Sequence, residues 1–423
     1  METTSNTRVC ASRTFGRTLV ALAFLPFLLF RTAASQTTYT ITDLGTLGGT
    51  FGVAGVVTNS GAVGGNSTLI GDAVIRGFLW TGGSLIDLGY LPAGPNVVAQ
   101  NANERLRIAG GADGASTDHD ANACWCPSNL DCHSFLWQNG VMTDLGTMGG
   151  NSSFAQWINN RGQIVGLSQI NAIDPNGEVH LCGAGPGNQM VRPYLFENGK
   201  FQELGTLGGY NAAALGINDS GQVSGGSEVT TSIDPTVGFV PHDAFLWSKG
   251  VMTDLGTLGG KFSFGVIVSN RGDVVGGSSL AGEEHTHGFL WQNGALIDLG
   301  VLAGDTDSQA SGINTFGQVV GLSWNSNGMR GFIWQNRAMT DLNTLISPSS
   351  GFQIALGAWI NDGGEIAAQA LVESTGEMHA VLLTPSNNSV RGNSVTVPLT
   401  DSLRKLLLQK YGYSRMKFLT SGQ

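Results

Sequence analysis

Residues His133–Gly150 read HSFLWQNGVMTDLGTMGG, and variants of this stretch recur along the chain. Two apolar segments flank an Asn-Gly pair, which is a strong short-range signal for a two-residue β-hairpin turn. An acidic residue followed by leucine occurs seven times, at spacings of 43 to 59 residues. These acidic residues are Asp43, Asp87, Asp144, Glu203, Asp254, Asp298 and Asp341. Repeats of this length indicate a propeller or an array of small sheets.

Two further motifs repeat in phase with the first one. One is similar to INDSGQVSG (217–225), and the other is the FLW segment, as in HDAFLW (242–247). Each repeat therefore holds four short β-like segments separated by turn residues. Because these segments are apolar on both faces, we expect each sheet to be covered on both sides by its neighbours. The sequence predicts an all-β fold, a seven-bladed β-propeller of four-stranded blades.

The two ends of the repeat region indicate how such a ring would close. The region begins with a strand of the fourth type, residues 39–45, which has no FLW segment before it. It ends with a strand of the third type, HAVLL (379–383), which has no acidic-Leu strand after it. Joining the two would complete the seventh blade and would cover two strand edges that otherwise invite aggregation. This arrangement predicts that His379 lies next to Asp43.

The first 35 residues have the features of a signal peptide. Arginines precede the apolar segment LVALAFLPFLLF (19–30), and the small residues AAS follow it at 33–35. The predicted organisation is a signal peptide (1–35), a propeller (36–385) and a basic C-terminal tail (386–423) with a short amphipathic helix at 400–412. The apolar segment is short for a membrane span, so we expect no transmembrane segment after cleavage. An uncleaved anchor is the alternative.

Charge and composition limit the classes of partner. The total charge is −10, to which the first 35 residues contribute +3 and residues 386–423 contribute +5, so residues 36–385 carry −18. An acidic body repels phosphate backbones, which argues against binding of nucleic acid. Charged residues make up only 12% of the chain and glycine supplies 63 of 423 residues, which is typical of a protein rich in turns.

An arginine or histidine opens each FLW segment, 11 or 12 residues before the acidic residue where both lie in one repeat. In a hairpin with a two-residue turn, such residues are diagonal neighbours on adjacent strands. A His–Asp pair could serve as a catalytic base, but arginine replaces histidine in three copies and cannot do so. We therefore interpret them as structural contacts and call them the outer-strand pairs. They are Arg76–Asp87, His133–Asp144, Arg192–Glu203, His242–Asp254, His287–Asp298, Arg330–Asp341 and His379–Asp43.

The three longest connections between second and third strands are consecutive, at 112–132, 168–191 and 227–241. They are expected to form a raised wall on one face, where binding residues usually lie. The four cysteines outside the signal peptide fall in the first two connections. They are Cys124, Cys126, Cys132 and Cys182. In an exported protein they indicate disulfides, with three pairings open. A zinc site that adds His119 or His180 is the alternative.

The motifs HDAFLW…GVMTDLGTLGG (242–260) and INNRGQIVG (158–166) resemble the pattern of the bacterial HAF-repeat family, which is described as an extracellular repeat. The resemblance covers about residues 39–383. It implies an exported repeat protein, and it transfers no catalytic residue.

The sequence favours a secreted or surface-exposed binding module, with the periplasm as the other location. We expect a monomer without cofactor or metal that binds a glycan or a protein through the long loops. The alternative is an extracellular polysaccharide-acting hydrolase or lyase with acids at the channel mouth. A structural surface array without a ligand is a third hypothesis.

Overall fold

The computed structural model describes Met1 and residues 37–117, 130–177, 189–386 and 392–398. The chain divides into two compact units, Met1–Gln36 and Thr37–Gln423, and the described strands belong to the second. The predicted signal peptide (1–35) and the predicted tail helix (400–412) lie outside the described residues. Within the described part, no helix is long and apolar enough to cross a membrane.

The described residues form β-strands and one 3-10 turn, η1 (Leu342–Leu345). The strands are β1 (Thr38–Asp43), β2 (Gly48–Val57), β3 (Val63–Leu69), β4 (Ile75–Thr81), β5 (Ser84–Asp87), β6 (Val97–Ala102), β7 (Ile108–Thr117), β8 (Leu130–Gln138), β9 (Val141–Gly146), β10 (Ser153–Ile158), β11 (Ile164–Ile173), β12 (Gln189–Glu197), β13 (Lys200–Glu203), β14 (Ala212–Ile217), β15 (Val223–Glu228), β16 (His242–Ser248), β17 (Val251–Gly256), β18 (Gly259–Val268), β19 (Val274–Leu280), β20 (Thr286–Gln292), β21 (Ala295–Asp298), β22 (Asp307–Ile313), β23 (Val319–Asn325), β24 (Gly328–Gln335), β25 (Ala338–Asp341), β26 (Phe352–Ile360), β27 (Ile366–Val372) and β28 (Met378–Ser386). The predicted all-β class is confirmed.

The strands pair in antiparallel runs of four. Three runs are separate sheets: β6 to β9, β10 to β13, and β22 to β25. Two larger sheets of eight strands each contain two such runs. In one, β14 to β17 meets β18 to β21 through a parallel contact of His242 with Phe262. In the other, β26 to β28 with β1 meets β2 to β5 through a parallel contact of Phe51 with Met378.

The first strand of the repeat region pairs with the last one. Strand β1 runs antiparallel to β28 in a register from Thr38 opposite Ser386 to Asp43 opposite Val381. The N-terminal strand thereby becomes the fourth strand of the run that β26, β27 and β28 begin. The observed strand begins and ends slightly earlier than the predicted 39–45.

The turns between third and fourth strands have the geometry that their residues favour. Asn139 and Gly140 have φ angles of 53° and 80°, as a type I′ turn requires at both of its central positions. This turn has a twist that matches the twist of the flanking strands. It places Phe135 opposite Asp144, the register that the Asn-Gly pair indicates.

In six runs, a glycine of the second strand lies opposite an aromatic residue of the third strand. Gly225 of β15 lies opposite Phe245 of β16, and the Phe245 side chain is fully buried. A Cβ atom at Gly225 would lie 2.0 Å from the Ala213 carbonyl oxygen and 2.7 Å from the Phe245 ring. The equivalent pairs are Gly65–Phe78, Gly110–Phe135, Gly166–Tyr194, Gly276–Phe289 and Gly321–Phe332. The buried ring occupies the space that the missing side chain leaves.

We predict that Gly225→Ala lowers the free energy of unfolding by about 3 kcal/mol, because the new methyl group overpacks a filled space. The control is Gly226→Ala, since a Cβ atom there would come no closer than 3.3 Å to any neighbouring atom, in this case the Phe264 Cβ atom. Urea denaturation of both variants measures the difference. Equal losses in the two variants would contradict the packing argument.

Candidate functional site

The first strands of all the runs end around one cavity of about 130 Å³. Each strand enters its turn to the second strand there, so the polar turn residues of separate repeats come together. The lining residues are 56–59, 101–104, 157–160, 217–219, 267–270, 313–315 and 359–362. We call this space the mouth cavity. Its position was not predicted, although the residues belong to the INDSGQVSG-like motif.

A β-bulge precedes the mouth cavity in the first strands. In β10, for example, the register shifts between Ala155 and Trp157, which leaves Gln156 unpaired. Bulges of this kind bend a strand and redirect the following side chain. The bulged residues line a smaller space of about 40 Å³. They are Gly55, Gln100, Gln156, Leu215, Val266, Ser311 and Ala358.

A buried asparagine fixes the turn at the mouth in most repeats. The Oδ1 atom of Asn159 accepts hydrogen bonds from the Arg161 and Gln163 amides of its own turn, at 3.1 and 3.0 Å. Its Nδ2 atom donates to the Asn218 carbonyl of the next run, at 3.0 Å. The same inter-run bond links Asn103 to Asn159, Asn218 to Ser269, Asn314 to Asn361 and Asn361 to Thr58, at 2.9 to 3.1 Å.

A second set of hydrogen bonds joins the next residue of each turn. The donors are backbone amides and the acceptors are side-chain oxygens of the following run. The bonds are Glu104 to Asn160 (3.0 Å), Asn160 to Asp219 (2.8 Å), Asp219 to Asn270 (2.9 Å), Thr315 to Asp362 (2.9 Å), Asp362 to Asn59 (3.0 Å) and Asn59 to Glu104 (2.8 Å). The step between the turns of Asn270 and Thr315 uses Arg271 instead, whose Nη1 lies 3.4 Å from the Thr315 carbonyl. The set therefore returns to Asn59, where it began.

Two tryptophans form the floor of the mouth cavity. The rings of Trp157 and Trp359 lie 4.7 Å apart between centroids and are tilted by 47°. They come from the third and seventh repeats. The run next to each tryptophan run has a glycine at the same strand position: Gly216 beside the run of Trp157, and Gly312 beside the run of Trp359. A Cβ atom at Gly312 would lie 3.1 Å from the Trp359 ring. The two glycines leave room for the rings of Trp157 and Trp359.

Six of the seven predicted outer-strand pairs lie within contact distance. The histidine pairs join Nδ1 to a carboxylate oxygen at 2.8 Å (His133–Asp144), 2.9 Å (His287–Asp298) and 3.0 Å (His379–Asp43). The arginine pairs are separated by 3.1 Å (Arg192–Glu203), 3.6 Å (Arg330–Asp341) and 3.7 Å (Arg76–Asp87). Arg330 also contacts Asp305 at 2.8 Å. The contact of His379 with Asp43 joins opposite ends of the repeat region.

Two of the histidine pairs, His133–Asp144 and His379–Asp43, favour the charged imidazole. The hydrogen bond with Asp144 raises the pKa of His133, and the hydrogen bond with Asp43 raises the pKa of His379. Because the folded pKa exceeds the unfolded one, these pairs contribute stability that is lost as pH rises through the folded pKa. The acidic partners are substantially exposed, so each contribution is small.

The predicted pair of His242 with Asp254 is wrong. His242 is buried, and its Nδ1 lies 2.6 Å from the Val240 carbonyl oxygen. Phe245 is opposite Asp254, so the diagonal position belongs to Asp243, two residues before the phenylalanine. Asp243 is instead the residue whose carboxyl group interacts with that of Asp254. Counting back from the phenylalanine, rather than from the nearest histidine, would have identified Asp243.

Two carboxyl groups therefore meet where the other repeats place a cation beside an acid. Burial, the negative charge of Asp254 and the hydrogen bond between the two side chains raise the pKa of Asp243 to about 7. Near neutral pH, Asp243 is therefore partly protonated. Within the described ranges, no group of three or more His, Cys, Asp or Glu side chains is arranged to hold a metal ion.

Most of the predicted cysteine cluster falls in the loops at 118–129 and 178–188. Cys124, Cys126 and Cys182 lie outside the described residues, as do His119 and His180 of the zinc alternative. Cys132 lies in β8 and is buried in the same apolar cluster as Phe154. The disulfides stay a prediction.

No protein-family model and no curated protein matches the chain. Several solved structures resemble it at low identity, with TM-scores below 0.5. The acylaminoacyl peptidase of Pyrococcus horikoshii is 12% identical with a TM-score of 0.48, over 85% of this chain and 54% of that one. A gluconolactonase from Xanthomonas campestris is 8% identical with a TM-score of 0.37, over 82% and 90%. A polysaccharide lyase, an ulvan lyase, is 9% identical with a TM-score of 0.36, over 85% and 86%. The chain spans about half the length of the acylaminoacyl peptidases that it matches.

We predict that Asp243→Asn removes much of the stability change between about pH 4 and pH 7. The folded pKa of Asp243 is about 7 and its usual value is 3.8, so the folded state holds an extra proton in this range. The free energy of unfolding of the unaltered protein should therefore fall as pH rises across it. Asparagine can donate to Asp254 without titrating. Thermal unfolding at several pH values measures the slope.

The matched control is His133→Gln, which changes a pair that contributes stability only while the imidazole is charged. It should alter the slope above about pH 6.5 and leave the acidic range unchanged. Identical pH profiles for Asp243→Asn and the unaltered protein would contradict the raised pKa of Asp243.

Proposed function

We propose that the chain is an exported binding protein built as a seven-bladed β-propeller. Each antiparallel run of four strands would be one blade, and β1 would close the ring by completing the blade of β26, β27 and β28. The observation that carries this proposal is the set of hydrogen bonds between turns, which leads from Asn59 around the mouth cavity and back to it. The parallel contacts of β16 with β18 and of β28 with β2 are consistent with neighbouring blades.

We place the ligand on the face that carries the long connections between second and third strands. The strands that flank residues 118–129 and 178–188 are nine or ten residues long, whereas β15 and β16 have six and seven. The two long hairpins belong to adjacent runs, because the Ser134 hydroxyl lies 2.7 Å from the Tyr194 hydroxyl. Together they would form the raised wall, and a glycan or a protein would bind against it.

Exposed apolar side chains on the same face support binding. Ile70, Ile173 and Ile233 are 86%, 55% and 44% exposed, and each lies in or at the end of a connection from a second to a third strand.

The alternative is a polysaccharide-acting hydrolase or lyase with acids at the channel mouth. Glu104, Asp219 and Asp362 do line the mouth cavity from three repeats. Each of these carboxylates accepts a hydrogen bond from a backbone amide of a neighbouring turn. They are therefore committed to holding the turns, and a binding function fits them better than general acid-base catalysis.

Export is the second part of the proposal, with the cell surface or the extracellular space as the destination and the periplasm as the other location. It rests on the signal-like residues 1–35 and on the cysteines gathered in two loops. We predict that the protein recovered outside the cytoplasm begins at Gln36 and that its four remaining cysteines react with a thiol reagent only after reduction. N-terminal sequencing and thiol labelling measure both. A cytoplasmic protein that retains residues 1–35 would overturn this part.

The binding hypothesis predicts that shortening both long loops, 118–129 and 178–188, abolishes ligand capture on a glycan array or from a panel of surface proteins. The control is a variant in which residues 281–285, a short connection between β19 and β20 outside the proposed wall, are replaced by glycine and serine; it should keep ligand capture. Thermal unfolding checks that both variants fold. Capture that persists without the two long loops would exclude them as the binding surface.

A further inference from the structure

Neighbouring runs share one contact at the start of the third strand. In the run of β2 to β5, the Ile75 amide donates to the Asn96 side chain at 3.1 Å, just before the next run begins. The amides of Cys132, Val191 and Thr286 donate in the same way to side-chain oxygens of Ser152, Asn211 and Asp307, at 2.7 to 3.1 Å. In two further runs, the contact is a parallel backbone pairing, of His242 with Phe262 and of Met378 with Phe51. At these six junctions the partner belongs to the start of the neighbouring run.

The remaining junction, between β24 and β26, is filled by a different segment. Met329 has the equivalent position in β24, and its amide and carbonyl both bond to Val397, at 2.9 Å. Val397 follows the last strand of the repeat region, yet it is 1% exposed and shares an apolar cluster with Trp324 and Met329. At the start of β26, the backbone N and O atoms of Ile354 are bonded instead to the side chain of Asn343, at 2.6 and 3.0 Å. A piece of the C-terminal tail therefore takes the place of the neighbouring run.

Residues 392–398 (GNSVTVP), which we call the strap, also make polar contacts at this junction. The Ser394 hydroxyl accepts a hydrogen bond from Arg330 Nη1 at 2.7 Å and donates one to Asp341 Oδ2 at 2.5 Å. The Asp341 side chain is 6% exposed, against 38 to 47% for the acid of the other five observed outer-strand pairs. Asn343 Nδ2 lies 3.3 Å from the Val395 carbonyl oxygen. The strap thus contacts an ion pair whose equivalents lie near solvent in the other runs.

Two glycines allow the strap to lie close to the run beneath it. A Cβ atom at Gly392 would lie 2.3 Å from the Asn343 carbonyl oxygen, and one at Gly328 would lie 2.2 Å from the Val397 carbonyl oxygen. Pro398 follows directly and has no amide hydrogen, so strand pairing cannot continue past Val397. The backbone pairing is limited to one bridge, and the strap can therefore leave without disrupting a sheet.

We infer that the strap is a detachable strand, and that the junction of β24 and η1 is a docking site for an extended peptide of the same chemistry. The site recognises a hydroxyl group that accepts from Arg330 and donates to Asp341. Three residues later it recognises an aliphatic side chain that packs beside Trp324 and Met329. Backbone bonds to Met329 add affinity, as they do when a peptide adds to the edge of a sheet. The occupant in this structure is the chain's own segment.

Hydrogen–deuterium exchange of the full chain, read by mass spectrometry in the segment that contains Met329, tests whether the strap can leave. Val397→Asp should raise exchange in this segment at least about tenfold, because a carboxylate without a partner is not stable in the apolar cluster. The segment that contains Ile75, at another junction, should keep its protection. The matched control is Asn393→Asp, which adds the same charge at an exposed residue of the strap and should leave both segments unchanged.

A synthetic peptide with the sequence of residues 392–398 tests the docking site itself. Added in excess to the Val397→Asp protein, it should restore protection of the Met329 segment. The same peptide carrying Val397→Asp should not. The two long loops belong to other runs, so Val397→Asp should leave ligand capture by those loops unchanged. The strap and the proposed function can therefore fail independently.

Four results would overturn the inference. Loss of protection at Ile75 together with Met329 in Val397→Asp would make the strap a fixed part of the core. Protection at Met329 that Val397→Asp leaves unchanged would mean that the strap does not cover this strand. Protection that the peptide fails to restore would remove the docking site. Protection of the unaltered protein that increases with protein concentration would mean that a second copy supplies the strap.

Discussion

The structure depends on a side-chain amide that bonds in two directions at once. In the third repeat, Asn159 holds its own turn through Oδ1 and reaches the Asn218 carbonyl through Nδ2. The bonds to Oδ1 fix the end of strand β10, and the bond from Nδ2 fixes the distance between β10 and the first strand of the next run. Because buried backbone groups need partners, a shift of either run would leave a carbonyl unsatisfied. Repeated around the molecule, this bond sets the width of the mouth cavity and brings Trp157 and Trp359 into contact.

The outer edge of each run uses a weaker interaction. Where histidine or arginine meets an acid near solvent, the contact contributes little energy and tolerates exchange of one cation for the other. In the pair of Asp243 and Asp254, an acid stands in the place of the cation, and the pKa of Asp243 is raised as a result. The glycine-aromatic stacking inside the runs has no such freedom, since a single methyl group at Gly225 would collide with backbone. The interior of the sheets therefore tolerates substitution poorly, whereas the exposed edge accepts several residue types.

Much of this architecture was predictable because it is local and repeated. The φ angles of the Asn139-Gly140 pair fix the register of the hairpin, and that register places His133 near Asp144. Asp243 was missed, and His242 was paired with Asp254 in its place, because the neighbouring histidine matched the expected residue type, although not the register. The mouth cavity was not predicted. It depends on β-bulges that no turn residue indicates in the sequence, and on contacts between repeats that are far apart in sequence. The loops at 118–129 and 178–188 lie outside the described residues, so the predicted ligand face rests on the strands beneath them.

The pairing of β1 with β28 also has a consequence for the order in which the molecule can assemble. Thr38 and Ser386 are separated by 348 positions and yet their side chains are hydrogen-bonded. During synthesis, β1 emerges among the first strands and its partner among the last, so this contact cannot form on a partial chain. Contacts of such long sequence separation form slowly, because the entropy of loop closure must be lost first. The final strand pairing is therefore a late step of folding, and a chain awaiting it retains an unpaired strand at each end.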